Sequence, residues 1–332
     1  MLVERLWIKQ PRVKTAWLDL LDKGGIRPEA NLEEVYGIYQ DDCLIATGAI
    51  FDNVIKCVAV HPDYTGGAMI SALLTELEVQ VFEKYDRCYL YTKPEASLSF
   101  QHLGFKELVR VEDKLVFMEK AVRGLPVYLN ELKSKYQPGK KQGAIVMNAN
   151  PFTKGHLYLV EEAAKVVDAL YLFVVSQDRS YVPFKDRFRL VEDGVAHLSN
   201  VVVVETGPYM VSTATFPSYF LPEEESVARV QANLDAQLFK THIIPALGIT
   251  HRFLGTEPKS QTTAIYNQEL TRELADCLTL VIKERLEVEG QVISASLVRQ
   301  LWQEKKLEEI KPLVPLTTYQ YIKERIERKQ NS

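Results

Sequence analysis

An alternation constrains this sequence more than any other feature. From residue 143 onward, near-continuous apolar runs take turns with stretches of helical period. "AIVMNA" precedes "HLYLVEEAAKVVDA", "LYLFVVS" precedes "KDRFRLVEDGVAHL", "VVVVETG" precedes "VARVQANLDAQLFKTHIIPAL", and "HRFLGTE" precedes "TAIYNQELTRELA". A strand that is apolar on both faces must be covered on both faces. Strands that alternate with helices achieve this as a parallel sheet between two helical layers. The expected fold of this part is therefore doubly wound, Rossmann-like α/β.

With 332 residues the chain is long enough for two domains. A polar, basic stretch, "LNELKSKYQPGKKQG" (129–143), reads as a short helix and a turn between them. The expected division is a first domain over 1–125, a linker over 126–142 and a second domain over 143–332. The first part mixes strand-like runs, broken by Asp-Asp and Asp-Asn turns, with an amphipathic helix in "GAMISALLTELEVQVFEKY". In that helix Met69, Leu73, Leu77 and Val81 form one stripe, with Leu74 beside it. "CYLYT" and "KLVFMEK" read as strands, and "LSFQHLGF" as a short helix ending at Gly104. An α+β domain is expected.

The net charge of -4 argues against a nucleic-acid-binding protein, which would usually carry a basic face. No apolar run reaches the ~18 residues of a membrane span. The start, "MLVERLWIKQ", has charges at Glu4, Arg5 and Lys9 and does not read as a signal peptide. The cysteines Cys43, Cys57, Cys88 and Cys277 form no CxxC pair. They read as reduced thiols of a cytoplasmic protein rather than as a zinc site or disulfides.

Ligands of such sheets bind at the carboxyl ends of the strands, beside helix N-termini. The turn "NPFTKGH" (150–156) lies there, between the first strand of the second domain and its first helix. The first amides of that helix have no internal partners, and its dipole favours an anion. Thr153 can cap the helix, Gly155 lets a phosphate approach the backbone, and His156 can offer a ring N–H. Alone, the same residues could be a plain cap, a tolerated glycine and a surface histidine. Near the far end, "VISASLVRQLWQ" opens another helix with Ser294 as natural N-cap, Ser296 at the same positive end, and Arg299 one turn on. Two such clamps in one parallel sheet point to a phosphate chain.

"MNANPFTKGH" and "ISASLVR" resemble the HxGH nucleotidyltransferase superfamily. "VSQDRSYVPFKDRFRLVEDGVAHLSNVVV" looks like its second strand, basic loop and Arg-containing helix, and "FLGTEP" like the strand end that contacts the nucleotide. "VMNANPFTKGH", "ATFPSYF", "THRFLGTEP" and "ISASLVRQL", in this order behind an acetyltransferase-like first domain, resemble the citrate (pro-3S)-lyase ligase family. That resemblance covers essentially the whole chain. In the first domain, "VHPDYTGGAMISALLTEL" looks like the pyrophosphate loop and helix of the GNAT fold, with Ala68 and Ile70 where later glycines are usual. "SLSFQHLGF" looks like the later helix and turn of that fold. His61 and His102 read as structural.

The resemblance implies an ATP-dependent ligase. It would activate acetate as acetyl-AMP, release diphosphate, and acetylate the CoA-like prosthetic-group thiol on the acyl-carrier subunit of citrate lyase. It implies that His156 donates to the α/β phosphates, that Thr153 and the amides around Gly155 hold them, and that Ser294, Ser296 and Arg299 hold the β/γ phosphates. Asn148, Asn150, Phe152, Arg179, Gly255, Thr256 and Glu257 are the further expected ATP contacts. Mg2+ is expected to bridge phosphate oxygens, with no dedicated carboxylate cage visible. Competing readings are a simple adenylyltransferase, a relative of class I aminoacyl-tRNA synthetases, and a non-catalytic regulator that binds the CoA-like arm. A GNAT-type acetyl transfer is a possible second activity.

Overall fold

The computed structural model of the protein describes residues 1–29, 31–64, 67–176, 180–209, 216, 219, 221, 226–256, 261–288 and 291–330. The chain divides into two compact units, Met1–Tyr128 with Val211–Gln237, and Leu129–Met210 with Leu238–Ser332.

The first unit contains β1 (Glu4–Arg5), α1 (Pro11–Lys23), β2 (Glu34–Gln40), β3 (Cys43–Phe51), β4 (Val54–Val60), α2 (Gly67–Phe82), β5 (Arg87–Thr92), α3 (Pro94–His102), β6 (Lys106–Val111) and β7 (Leu115–Ala121). Its strands form one sheet in the order β1-β2-β3-β4-β5-β7-β6. Neighbours are antiparallel except β4 and β5, which pair in parallel through Val54↔Tyr89 and Ile55↔Leu90. The β2–β3 hairpin turns through Asp41 and Asp42, both at positive φ, as a two-residue hairpin loop requires. The stripe of α2 behaves as its spacing predicts, with Met69, Leu73, Leu74, Leu77 and Val81 buried. Proline at the start of α1 costs no hydrogen bond there. Tyr219 joins the cluster that α1 builds with Trp17, Leu20 and Leu21.

The chain continues through α4 (Leu125–Ser134) into β8 (Gln142–Met147), α5 (Lys154–Ala164), β9 (Ala169–Val174), α6 (Phe184–Val195), β10 (Val201–Glu205) and α7 (Val227–Leu238). A π turn (Phe239–Ile243) leads into α8 (Ile244–Leu247). The stretch read as one helix over 227–247 is thus interrupted. Pro245 stands at the start of α8, has no N–H to donate, and cannot continue an α ladder. Then follow β11 (His251–Gly255), α9 (Gln261–Leu274), β12 (Thr279–Lys283), the short pair β13 (Glu287–Val288) and β14 (Gln291–Val292), α10 (Ala295–Gln303), α11 (Leu307–Ile310) and α12 (Leu316–Gln330).

The sheet of the second unit has the order β10-β9-β8-β11-β12, and every pairing is parallel. This is the doubly wound sheet expected from the alternation, with the order reversing at β8. Strand β9 is buried along its whole length, which explains its uninterrupted apolar run. Strands β8 and β9 pair from Gln142↔Ala169 to Met147↔Val174. Strands β8 and β11 pair only through His251↔Gly143 and Arg252↔Ala144. Beyond Ala144 they diverge, so the sheet opens at its carboxyl edge at the switch point, where such folds place their ligands.

Candidate active site

The opening between β8 and β11 is a cavity of about 370 Å³, within the ~300–1,000 Å³ range of small-molecule sites. Val146, Met147 and Asn148 line it from β8 and the turn after it, and Phe253, Leu254 and Gly255 from β11. Thr153, Gly155 and His156 contribute the start of α5, and Ser294 and Ala295 the start of α10. Two helix N-termini therefore face one cavity, each adding partial positive charge.

The start of α5 is locked by a reciprocal cap. Thr153 Oγ1 accepts from the His156 amide at 3.3 Å, while His156 Nδ1 accepts from the Thr153 amide at 3.0 Å. Because Nδ1 accepts, the ring proton sits on Nε2. Desolvation, and after it the nearby Arg285 charge, push the His156 pKa down to about 4. The imidazole is thus a neutral Nε2–H donor at pH 7. Its ring stacks at 10° on Phe152, with centroids 5.8 Å apart. The Gly155 and Ala295 amides have no protein acceptor among the described residues.

Phe152 does not fit its expected role. It is fully buried, packed so tightly that a Cβ on Gly194 would come within 2.6 Å of its ring. Its side chain is off the cavity wall and stacks against the His156 ring. Asn150 turns its Oδ1 to the Val182 amide at 2.9 Å, and Asn148 Oδ1 accepts from Arg187 Nη1 at 2.9 Å. Both hold the turn, and Asn148 also lines the cavity. Ser294 caps α10 by accepting from the Leu297 amide at 3.2 Å. Arg299 donates to the Asn150 carbonyl at 2.6 Å and to Ser296 Oγ at 3.0 Å, and neither Arg299 nor Ser296 is on the cavity wall. A Cβ on Gly255 would meet no atom of the described residues within 4 Å. The Thr256 amide donates to the Lys283 carbonyl at 2.9 Å. Arg179 and Glu257 lie outside the described residues.

Sequence reasoning missed two arginines. Arg187, on α6, is fully buried and donates to the carbonyls of Val182, Asn148 and Val175 at 3.0, 2.7 and 2.8 Å. It ties together the chain beyond β8, the chain beyond β9 and the entry to α6. Arg285, after β12, lines the cavity and donates from Nε to the Thr256 carbonyl at 2.5 Å. Arg187 lies in the segment likened to the Arg-containing helix of the superfamily, but Arg189 stands two positions on and the sequence does not say which of them turns inward, and Arg285 sits in no motif. None of the four cysteines lines the cavity. Burial pushes the Cys57 thiol up to about 12, and the described residues include no cluster of three metal-ligating side chains. No helix among the described residues is long and apolar enough to cross a membrane.

Residues 142–322 match the family described as citrate lyase ligase C-terminal domain. The chain is 39% identical over 314 residues to the citrate (pro-3S)-lyase ligase of Escherichia coli, covering 92% of this chain and 89% of that protein.

The chain belongs to the citrate lyase ligase family.

The ligase of Klebsiella pneumoniae is 40% identical over 285 residues, 84% of this chain and 83% of that one. Among solved structures, Thermotoga maritima TmcAL bound with alpha-thio ATP aligns with 57% of this chain and 56% of its own at 16% identity, with a TM-score of 0.40. In this citrate lyase ligase family member, the TxGH turn and the ISxSxxR segment open the two helices that converge on one cavity.

Proposed function

We propose that this chain is an ATP-dependent acid–thiol ligase that activates acetate as acetyl-AMP and acetylates the prosthetic-group thiol on the acyl-carrier subunit of citrate lyase. The observation that carries this reading is a neutral His156 donor set between two helix N-termini at the opened end of a parallel sheet.

Acetate is a poor acyl donor because its leaving group would be oxide. An acetate oxygen attacks the α-phosphorus, the bond to the bridging oxygen of diphosphate breaks, and diphosphate departs. The carrier thiolate, its proton lost to solvent, then attacks the carbonyl carbon, and AMP leaves with the electrons of the C–O bond. The first step asks the protein for position and charge stabilisation rather than for a base, since acetate is already ionised at pH 7. His156 Nε2–H, the Gly155 amide and the Ala295 amide are fixed donors for the phosphate oxygens. Arg299 holds the turn through the Asn150 carbonyl. Gly255, at the cavity wall and without a side chain, would let the nucleoside approach the backbone at the end of β11. Mg2+ would neutralise phosphate charge, held by phosphate oxygens and its own waters; the cavity wall offers it Glu284.

The test is isotope exchange between diphosphate and ATP, with and without acetate, in the absence of thiol. Exchange that requires acetate supports the ligase, and His156→Ala should then lower it about 10²–10³-fold. Exchange that ignores acetate but needs phosphopantetheine would replace this reading with a simple adenylyltransferase.

A further inference from the structure

Reading the sequence assigns the phosphates to Arg299, whose guanidinium donates to the Asn150 carbonyl and Ser296 and stands off the cavity wall. Among the described residues, the guanidinium on the wall is that of Arg285. Its Nε donates to the Thr256 carbonyl at 2.5 Å, just beyond β11, which orients the planar fork. The next residue is tied to the approach of α10, because the Ile293 amide donates to the Leu286 carbonyl at 3.1 Å. Arg285 and the N-terminus of α10 are therefore held as one piece. Across the cavity stands His156, close enough that the Arg285 charge opposes protonation of its ring. A guanidinium, a neutral imidazole donor and two helix N-termini around one cavity suit an anion with several negative centres, as a polyphosphate has.

We propose that Arg285 is a catalytic residue of this site, the cation that binds the polyphosphate of ATP and stabilises the charge gathering on the departing diphosphate. Arg299 is then a positioning residue for the 148–152 turn. This inference rests on the adenylation reading. It also divides the labour chemically: His156 stays neutral and gives direction, while Arg285 supplies the full charge that a neutral ring cannot.

The test is calorimetric binding of ATP and of adenosine to the full chain, wild type against Arg285→Gln and Arg285→Lys, with the His156 ring titrated by NMR. Arg285→Gln should weaken ATP about 10- to 100-fold and leave adenosine binding unchanged. The same variant should raise the His156 pKa, which loss of a distant structural contact would not do. Arg285→Lys keeps the charge without the fork and should fall between. It decides the matter by the same comparison if Arg285→Gln does not fold. Unchanged ATP affinity in both variants, or equal losses for ATP and adenosine, would overturn the assignment. Wild-type protein that binds ATP but shows no acetate-dependent exchange would sink the ligase reading and leave Arg285 standing. Wild-type protein that binds no ATP would overturn both.

Discussion

At the scale of single residues, His156 shows how one backbone contact sets a chemical role. A free imidazole near pH 7 is a mixture of charge states and tautomers. The Thr153 amide, by donating to Nδ1, selects the Nε2–H form, and burial holds it neutral down to about pH 4. The sign has two consequences. In the folded state the ring binds its proton only near pH 4, whereas in the unfolded chain it does so near ~6.5. Between these values the unfolded state holds more protons, so stability contributed at this site is present above about pH 6.5 and declines as pH falls toward 4. The exchange rate, in turn, should show no inflection near pH 6.5 from this histidine. A pH profile of the rate checks this: a break near 6.5 that disappears in His156→Gln would mean that the charged ring is the working form. The candidate site was legible here in part. Thr153, Gly155, His156 and Ser294 are local in sequence, and a cap is a local structure. The burial of Phe152 was not legible, because it depends on Gly194, which lies 42 residues further along the chain.

At the scale of elements, the site is a set of ends, and Arg187 joins three of them. Its guanidinium, itself fully buried, satisfies the carbonyls of Asn148, Val175 and Val182. Arg187→Leu removes these donors and leaves one buried and two part-buried carbonyls without them, a buried one costing about 1–3 kcal/mol. We expect the variant to lose about 3–5 kcal/mol in urea unfolding, and Arg187→Lys to recover part of it. Stability within about 0.5 kcal/mol of wild type would refute the role. An arginine on an amphipathic helix reads in sequence as a solvated charge. Only the placement of the ends of β8 and β9 around it makes it an interior residue.

For the whole molecule, the two compact units do not follow the order of the chain. Val211–Gln237 belongs with Met1–Tyr128, and Tyr219 is 5% exposed beside Trp17, Leu20 and Leu21. Its carbonyl accepts from the Arg27 amide at 2.7 Å. Tyr219→Ala should therefore cost about 3–5 kcal/mol in the first unit, although the residue lies 91 positions beyond Tyr128. Hydrogen exchange in α1 checks this: protection there should fall in the variant, and unchanged protection would exclude the contact as a source of stability. The sequence by itself determined the parallel sheet, its flanking helices, the hairpin turns and the capped starts of α5 and α10. Hydrophobic period, turn chemistry and capping act over a few residues and leave their mark in the order of the side chains. Tertiary structure alone decided which arginine enters the cavity, which one becomes a buried brace, and which unit holds Tyr219. These outcomes depend on which segments meet in space: Arg187 reaches back 39 residues to Asn148, Arg285 shares a cavity with His156 from 129 residues away, and Tyr219 packs with Trp17 from 202, and a spacing along the chain does not record such a distance.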